Sequence, residues 1–258
     1  MFDFKDYFSN NSANYSKFRP VYPDALFDYL AGIAPSSALA WDCATGSGQA
    51  AQKLARRFSR VIATDASSEQ LRKAKPVDNI AYRVAPAEKA PFPDNAVDLI
   101  TVAQALHWFD IELFFREAKR VLKTDGVIAV WTYNLLTIEP ALDKIINGFY
   151  ENVLGPYWPP ERVMVEDGYR DISFPFQKLL CPAFSMSASW SLNELLGYLG
   201  TWSAVKQYRD KMGSDPLDII RNDLAAQWGA PDRRYHVDWP LSVRVGSLSQ
   251  PKDRAKGT

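Results

Sequence analysis

Short apolar segments alternate with amphipathic ones through the first half of this chain. The pattern predicts strands over 39–42, 60–64, 80–84, 96–103 and 126–132, with helices over 49–58, 67–75 and 110–122. Pro23 suits the first turn of a further helix that ends near Ala34. Such alternation is typical of a parallel sheet covered by helices on both faces, so we predict an α/β protein.

The second half has a different character. Helices are predicted over 138–154, 191–211 and 215–228, a strand over 184–190, and a final strand over 235–246. Pro240 interrupts the final strand, which predicts a sheet edge or a bulge there. Residues 155–183 are rich in proline and aromatic side chains and have no clean period.

Composition narrows the class of protein. Thirty basic and thirty acidic side chains balance among 258 residues, so bulk charge gives no reason to expect nucleic acid or an anionic membrane as a partner. Two cysteines make neither a disulfide framework nor a zinc site, and no metal is expected. The N-terminus lacks the order of a signal peptide and no apolar run is long enough to span a bilayer, so we expect a cytoplasmic protein.

A glycine-rich segment follows the first predicted strand. Gly46 and Gly48 are spaced for a sharp turn that lets backbone approach a ligand closely. Asp65 ends the second predicted strand, where a carboxylate can accept hydrogen bonds from two ribose hydroxyls. These features predict a nucleoside-binding site, and 46–51 also fits the weak G-x-G-x-x-A pattern of dinucleotide sites.

Asp42 bears on which nucleoside binds. A dinucleotide places its pyrophosphate at the helix N-terminus, and an anion just before the glycines opposes that. S-adenosylmethionine (SAM) has no phosphate and carries an ammonium group that an acidic strand end suits, directly or through water. Asp42 therefore favours SAM, although the same side chain could simply cap the following helix.

Several segments together resemble the class I SAM-dependent methyltransferases of the methyltransferase type 11 kind. They cover about residues 8–133 and include 15–23, 42–49, 64–67, 87–95, 101–109 and 121–126. The pair His107-Trp108 and residues 201–204 are also similar to the trans-aconitate methyltransferase branch. The resemblance implies a doubly wound, mostly parallel, seven-stranded Rossmann-like sheet with a helical lid inserted in the C-terminal half.

The same resemblance implies that successive segments of the chain have different roles. We expect an N-terminal cofactor-covering segment over 1–36, a SAM-binding core over 37–134, a substrate lid with the final strands over 135–246, and a polar tail over 247–258. The cofactor-binding residues implied in this way are Tyr15, Arg19, Asp42, Ala44, Gly46, Gly48, Asp65, Ala66, Ser67, Ala87, Glu88 and Gln104.

Two positions depart from the family pattern. Ala44 stands where the family usually has the first of three glycines, so a positive φ there would force the loop to shift. Pro86 replaces an acid or small polar residue near the adenine amine and offers no side-chain acceptor. Glu88 or a backbone carbonyl must then take that role.

Methyl transfer from SAM needs alignment and a dry site more than it needs a metal or a covalent nucleophile. His107 is the candidate base for an acceptor that must lose a proton, and its alternative role is an aromatic wall. Trp131, Tyr133, Trp158 and Trp202 are the candidate acceptor-pocket residues, although aromatic residues at such spacing also build cores. Arg162, Arg170 and Arg209 are candidates for binding an acidic substrate.

The predicted function is transfer of a methyl group from SAM to a small-molecule acceptor, with S-adenosylhomocysteine as the product. The acceptor atom is expected to be an oxygen, such as a carboxylate of a trans-aconitate-like acid. Two alternatives stay open at this point: a SAM-binding protein without catalysis, which Ala44 and Pro86 allow, and an NAD(P)-dependent oxidoreductase, which Asp42 disfavours. The sequence does not predict the oligomeric state.

Overall fold

The computed structural model describes residues 20–230 and 232–249. The described chain divides into two compact units. The sheet unit contains residues 22–133, 164–184 and 241–249, and the inserted unit contains 134–163 and 185–240 together with residues 20 and 21. No helix in the described part of the chain is both long enough and apolar enough to cross a bilayer.

The strands of the sheet follow the alternation that the sequence predicts. Their bounds are β1 Leu39–Cys43, β2 Arg60–Asp65, β3 Ile80–Val84, β4 Val97–Ala103, β5 Leu122–Tyr133, β6 Gln177–Lys178, β7 Phe184–Trp190 and β8 Tyr235–Ser247. The helices are α1 Asp24–Ile33, α2 Gln49–Leu54, α3 Ser68–Arg72, α4 Ile111–Val121, α5 Pro140–Gly148, α6 Arg162–Glu166, α7 Leu192–Leu199, α8 Ser203–Met212 and α9 Leu217–Trp228.

Seven strands lie side by side in the order β3-β2-β1-β4-β5-β8-β6, and β7 pairs with β8 outside this row. The first five strands in the row are parallel, and β8 runs antiparallel to β5 and to β6. This confirms the doubly wound, mostly parallel sheet. The chain order reverses between β1 and β4, and open α/β sheets bind ligands beyond the carboxyl ends of the strands at such a switch point.

The central strands are buried because helices cover both faces of the sheet. In β4, six of seven residues are buried, as expected for a strand with an almost continuous apolar run. The buried Asp98 carboxylate in β4 accepts hydrogen bonds from Leu39 N–H at 2.9 Å and Ser36 Oγ at 2.7 Å, and pairs with Lys123 Nζ at 2.7 Å. These partners satisfy the buried charge and fix the start of β1 against β4.

The connection from β3 to β4 is anchored by helix α4. Glu117 Oε1 accepts a hydrogen bond from Ala90 N–H at 2.6 Å, and Arg120 donates to Phe92 O at 2.9 Å and to Asp94 Oδ1 at 2.7 Å. The pKa of Glu117 is lowered, chiefly by its hydrogen bond from Arg120. This network fixes the loop that the sequence predicts beside the adenine.

The inserted unit is built on aromatic side chains. Trp239 of β8 packs at 4.8 Å from Trp190 and at 5.4 Å from Tyr198, measured between ring centroids. Tyr198 in turn packs edge-on against Trp202 at 6.0 Å. Buried aromatic pairs in these tilted and edge-to-face arrangements stabilise a core beyond the area that they bury.

Several element bounds differ from the sequence predictions for identifiable reasons. The predicted helix over 49–58 ends at Leu54 because the Asn79 amide donates to the carbonyls of Ala55 and Phe58, which then need no further helical partner. β5 begins at Leu122 instead of 126, and a register shift between β4 and β5 absorbs the extra residues. The predicted final strand is one continuous β8, and Pro240 lies just outside its ladder with β5.

Candidate functional site

Most of the predicted cofactor residues lie at the carboxyl ends of the parallel strands of the sheet unit. Asp42 lies near the end of β1, and the β1–α2 loop carries Ala44, Gly46 and Gly48. Asp65 is the last residue of β2, and the connection to α3 carries Ala66 and Ser67. Gln104 follows β4 directly. Tyr15 and Arg19 lie outside the described residues.

The β1–α2 loop turns through left-handed backbone at three positions. Gly46 has φ +57° and Gly48 has φ +83°, conformations that glycine adopts freely. Ala44 has φ +54°, so the alanine keeps the conformation that a glycine would take there. The loop therefore keeps its turn despite Ala44, at a strain of about 1 kcal/mol.

The two loop glycines have different surroundings. A Cβ added to Gly48 would lie 2.5 Å from the hydroxyl of Tyr82, whereas one added to Gly46 would meet nothing within 4 Å. A side chain at Gly48 would therefore require the Tyr82 ring to move as well as an unfavourable positive φ. Gly46 leaves open space above the backbone, where a ligand can lie against the loop.

The Asp65 carboxylate is buried and oriented by backbone. Its Oδ2 accepts a hydrogen bond from Gly46 N–H at 2.8 Å, and its Oδ1 accepts one from Ser67 N–H at 2.9 Å. One side chain thus joins the glycine loop to the start of α3. A carboxylate held in this way is set to accept hydrogen bonds from hydroxyl groups at the strand edge.

Asp42 fixes the loop from beneath. Its Oδ1 accepts a hydrogen bond from Thr101 Oγ1 at 2.8 Å, its Oδ2 accepts one from Thr45 Oγ1 at 2.5 Å, and its side chain is fully buried. Burial raises the pKa of the Asp42 carboxyl to about 6, against the lowering effect of the Thr45 and Thr101 hydrogen bonds. The Asp42 side chain thus supports the loop as well as supplying negative charge, and sequence reasoning did not predict the two threonine partners.

The electrostatic field around the loop is negative. The pKa of the buried Cys43 thiol is raised, first by burial and then by the carboxylates of Asp42, Glu88 and Asp65. A pyrophosphate would meet repulsion from these groups, whereas an ammonium or sulfonium would be attracted. Together with the space above Gly46, this charge pattern fits SAM.

The predicted adenine side is built from two connections. Ala66 is exposed, and Ser67 caps α3 by accepting a hydrogen bond from Gln70 N–H at 3.3 Å. Ala87 is buried, and Glu88 Oε1 accepts a hydrogen bond from Asp110 N–H at 3.0 Å. Glu88 therefore links the β3–β4 connection to the N-terminal end of α4.

Gln104 extends the sheet by one residue through its side chain. Its Oε1 accepts hydrogen bonds from Tyr133 N–H at 2.9 Å and Thr132 Oγ1 at 2.7 Å, and its Nε2 donates to Tyr133 O at 3.1 Å. Its backbone is left-handed, with φ +57°. The anchored amide holds the ends of β4 and β5 together, a role that the sequence did not reveal.

His107 lies in a short 3₁₀ turn after β4 and is buried. Its Nδ1 is 2.8 Å from the hydroxyl of Tyr169. Arg244 in turn donates hydrogen bonds to the backbone carbonyls of Tyr169 and Ile172. Sequence reasoning missed Tyr169 and Arg244, because only the fold brings the 164–184 segment back to the sheet unit.

Trp131 and Tyr133 end β5 and are both buried. The Trp131 ring packs edge-on against Tyr22 at 5.5 Å and Phe27 at 6.0 Å. Its Nε1 is buried and has no hydrogen-bond partner in the described structure. Buried N–H groups are almost always paired, so this one requires an explanation.

Trp158 and Trp202 meet inside the inserted unit, with ring centroids 5.7 Å apart. Tyr150 completes the group at 4.8 Å from Trp158 and 5.8 Å from Trp202. A cavity of about 320 Å³ lies beside Trp158 and is also lined by Ser203 and Lys206. The two predicted tryptophans thus form one aromatic cluster next to open space.

Comparisons with known proteins agree with this geometry. Residues 41–130 match the family model described as a methyltransferase domain. The Dictyostelium discoideum protein named "Putative methyltransferase" is 36% identical over 245 residues, which cover 92% of this chain and 93% of that protein. The Saccharomyces cerevisiae "Probable S-adenosylmethionine-dependent methyltransferase CRG1" is 30% identical over 251 residues, covering 83% and 86%.

A solved structure is also similar. It is described as "a Putative Type II Methyltransferase from Anaeromyxobacter dehalogenans", is 44% identical, and covers 90% of this chain and 98% of that one with a TM-score of 0.85. The two relatives and the solved structure each match most of this chain, so the similarity extends across both units. The chain therefore belongs to the class I SAM-dependent methyltransferases.

Proposed function

We propose that this methyltransferase transfers the methyl group of SAM to an oxygen of a small-molecule acceptor. SAM supplies a methyl group activated by a positively charged sulfur. The protein's part is to bind, align and exclude water, and no metal is needed for that step. The balanced charge of the chain supports a small-molecule acceptor over a nucleic acid.

The proposed cofactor site uses the carboxyl edge of β1, β2 and β4. Gly46 backbone receives the methionine part of SAM, with Asp42 supplying the negative field for its ammonium group. Asp65 accepts hydrogen bonds from the ribose hydroxyls, and the connections holding Ser67 and Ala87 flank the adenine. The strongest support is the combination of open space above Gly46 with two buried carboxylates at the same edge.

The proposal that an oxygen accepts the methyl group rests on the indole N–H of Trp131. It is buried, it lies two residues before the end of β5, and it has no acceptor in the described structure. A ligand oxygen at the carboxyl edge would satisfy it and remove the cost of an unpaired buried donor. For an acceptor hydroxyl, which must lose a proton, we propose His107 as the base, with its ring orientation set by Tyr169.

Labelled methyl transfer tests the proposed function. The purified protein with methyl-labelled SAM is expected to label a small acid or alcohol from a metabolite mixture. Transfer to RNA, DNA or protein instead of a small molecule would contradict the proposal.

Trp131→Phe tests the acceptor assignment. The phenylalanine ring can still pack on Tyr22 and Phe27, but the indole N–H is lost, and with it the proposed hydrogen bond to the methyl-accepting molecule. We expect KM for the acceptor to rise about fivefold to tenfold, as for loss of one hydrogen bond, with an unchanged Kd for SAM. Trp228→Phe is the matched control, because that buried indole donates to Arg233 O at 2.9 Å. Equal effects of both variants on KM would show that Trp131 acts only through packing.

A pH dependence of SAM binding is expected from Asp42. Because its pKa is about 6, protonation below that value removes negative charge from the loop. SAM affinity should therefore fall as pH drops through 6, by up to about tenfold per unit. Calorimetry from pH 5 to pH 8 measures this. Asp42→Asn should lack this part of the pH dependence, and an identical profile in the variant would contradict the assignment.

The contribution of Asp42 to the stability of the ligand-free protein should change with pH in the opposite direction to SAM affinity, so it should rise as the pH falls. The folded-state pKa of Asp42 lies above the ordinary value of 3.8, so the folded state takes up the proton more readily than the unfolded chain. The contribution of this group to the free energy of unfolding is therefore full below about pH 4 and is lost as pH rises through about 6. Urea unfolding across this range, compared between wild type and Asp42→Asn, separates this effect from cofactor binding.

A further inference from the structure

Arg162, in the inserted unit, lies against an aromatic platform. Its guanidinium carbon is 4.8 Å from the centroid of the Trp158 ring and 5.4 Å from that of Tyr150. The Trp158 indole is itself held by a hydrogen bond from its Nε1 to Tyr150 O at 3.3 Å. A guanidinium stacked in this way is held flat and loses less freedom on binding a partner.

Two hydrogen bonds fix the guanidinium in its plane. Arg162 Nε donates to Tyr150 Oη at 2.7 Å, and Nη2 donates to Asn134 Oδ1 at 2.7 Å. An arginine has five N–H donors, so three remain, and Nη1 has no hydrogen-bond partner among the residues that the structure describes. The donors that remain are the two N–H groups of Nη1 and one of Nη2, and a guanidinium can bind a carboxylate through two parallel hydrogen bonds.

The cation has no ion-pair partner in the described part of the chain. Arg209 of the same unit contrasts with it, because Arg209 pairs with Asp215 at 2.7 Å. Glu161 precedes Arg162 in the chain, and its Oε2 is buried without a hydrogen-bond partner in the described structure, so it does not bind the guanidinium. The two oxygens that orient the guanidinium are neutral, so no carboxylate of the described residues occupies the donors that remain, and these can receive an anion.

Space for a flat ligand body adjoins the platform. The cavity of about 320 Å³ is lined by Trp158, with Ser203 and Lys206 among its other residues. Lys206 and Asp210 both line the cavity, so these two side chains bring opposite charges and Arg162 is the cation on which the argument rests. Asn134, which positions Arg162, is the residue that directly follows β5 in the chain.

We propose that Arg162 binds the carboxylate of a planar organic acid, whose flat body lies against Trp158 in the adjoining cavity. When that acid is the methyl acceptor, this inference rests on the proposed function and names the class of substrate that the methyltransferase takes. Arg162 is then a specificity residue: it holds the anionic group by two charge-assisted hydrogen bonds and rejects neutral analogues.

Calorimetric titration of the full-length protein tests this directly. The probes are benzoate, trans-cinnamate and fumarate, each compared with its uncharged amide. Wild type is expected to bind at least one acid about tenfold or more tightly than the matching amide, as two charge-assisted hydrogen bonds require. No preference for any acid over its amide would overturn the inference.

Variants separate the charge from the packing. Arg162→Gln is expected to remove the preference for the acid while leaving the affinity for the amide within about twofold. Arg162→Lys should restore only part of it, because an ammonium keeps the charge but loses the fork. Arg170→Gln is the control, since Arg170 is exposed and pairs with Asp167. Equal weakening of acid and amide in Arg162→Gln would overturn the assignment of carboxylate binding.

The readout is independent of methyl transfer. If labelled methyl groups never reach a small acid but the Arg162-dependent binding of acids is present, the proposed function fails and the anion site stands. If small acids are methylated but Arg162→Gln keeps the wild-type preference for acid over amide in calorimetry, the anion site fails and the proposed function stands.

Discussion

Replacing Asp65 with alanine is expected to weaken SAM binding about a hundredfold or more. Two hydrogen bonds from ribose hydroxyls to an ionised carboxylate would be lost, each contributing about 1.5–3 kcal/mol. The change also removes the acceptor of the Gly46 and Ser67 N–H groups, so the glycine loop loses its tie to α3. Calorimetry with SAM and with S-adenosylhomocysteine measures the loss.

The control for this variant is Asp78→Ala, because Asp78 is an exposed carboxylate just before β3. It changes the net charge equally and should leave the Kd for SAM unchanged within about twofold. Thermal unfolding without ligand separates a folding defect from a binding defect. An Asp65→Ala protein that folds and binds SAM normally would contradict the ribose assignment.

Gly48→Ala is expected to produce the second large effect, this time on stability. An alanine at φ +83° costs about 1–2 kcal/mol, and its Cβ would lie 2.5 Å from Tyr82 Oη, which adds about 1–3 kcal/mol of overpacking. We expect the free energy of unfolding to fall by about 2–4 kcal/mol. Urea unfolding measures it.

Two further variants make this prediction specific. Tyr82→Phe removes the closest atom, so the double variant with Gly48→Ala should recover part of the loss and show coupling between the two positions. Gly46→Ala has open space around its Cβ, so it should cost only the backbone strain of about 1 kcal/mol but weaken SAM binding. Additive effects of Gly48→Ala and Tyr82→Phe would contradict the packing account.

The fold of the sheet unit follows from local patterns. Runs such as 60–64 and 96–103 are apolar and bounded by polar turns, so their strands could be located from the sequence. The two-residue strand Gln177–Lys178 could not, because it is defined by its ladder with β8 and not by any local period. The same holds for α6, which is five residues long and begins in the proline-rich stretch.

In the candidate site too, residues that are close in sequence could be predicted, whereas their partners from distant segments could not. The residues of the glycine loop and the acid that follows are close in sequence, and the structure brings Gly46 and Asp65 into direct contact. The partners that fix them come from other elements: Thr101 on Asp42, Thr132 on Gln104 and Tyr169 on His107. Hydrogen bonds between side chains about 30 to 60 residues apart leave no periodic signal in a single sequence, so only the fold reveals them.

The central claim is that the buried carboxylates at the ends of β1 and β2 select a phosphate-free sulfonium nucleoside. Its most direct test is equilibrium binding of S-adenosylhomocysteine, SAM, NAD and NADP to the wild-type protein at pH 7.5. The account predicts saturable binding of the first two and no measurable binding of the dinucleotides. Tight binding of NAD or NADP, with no binding of SAM, would contradict it.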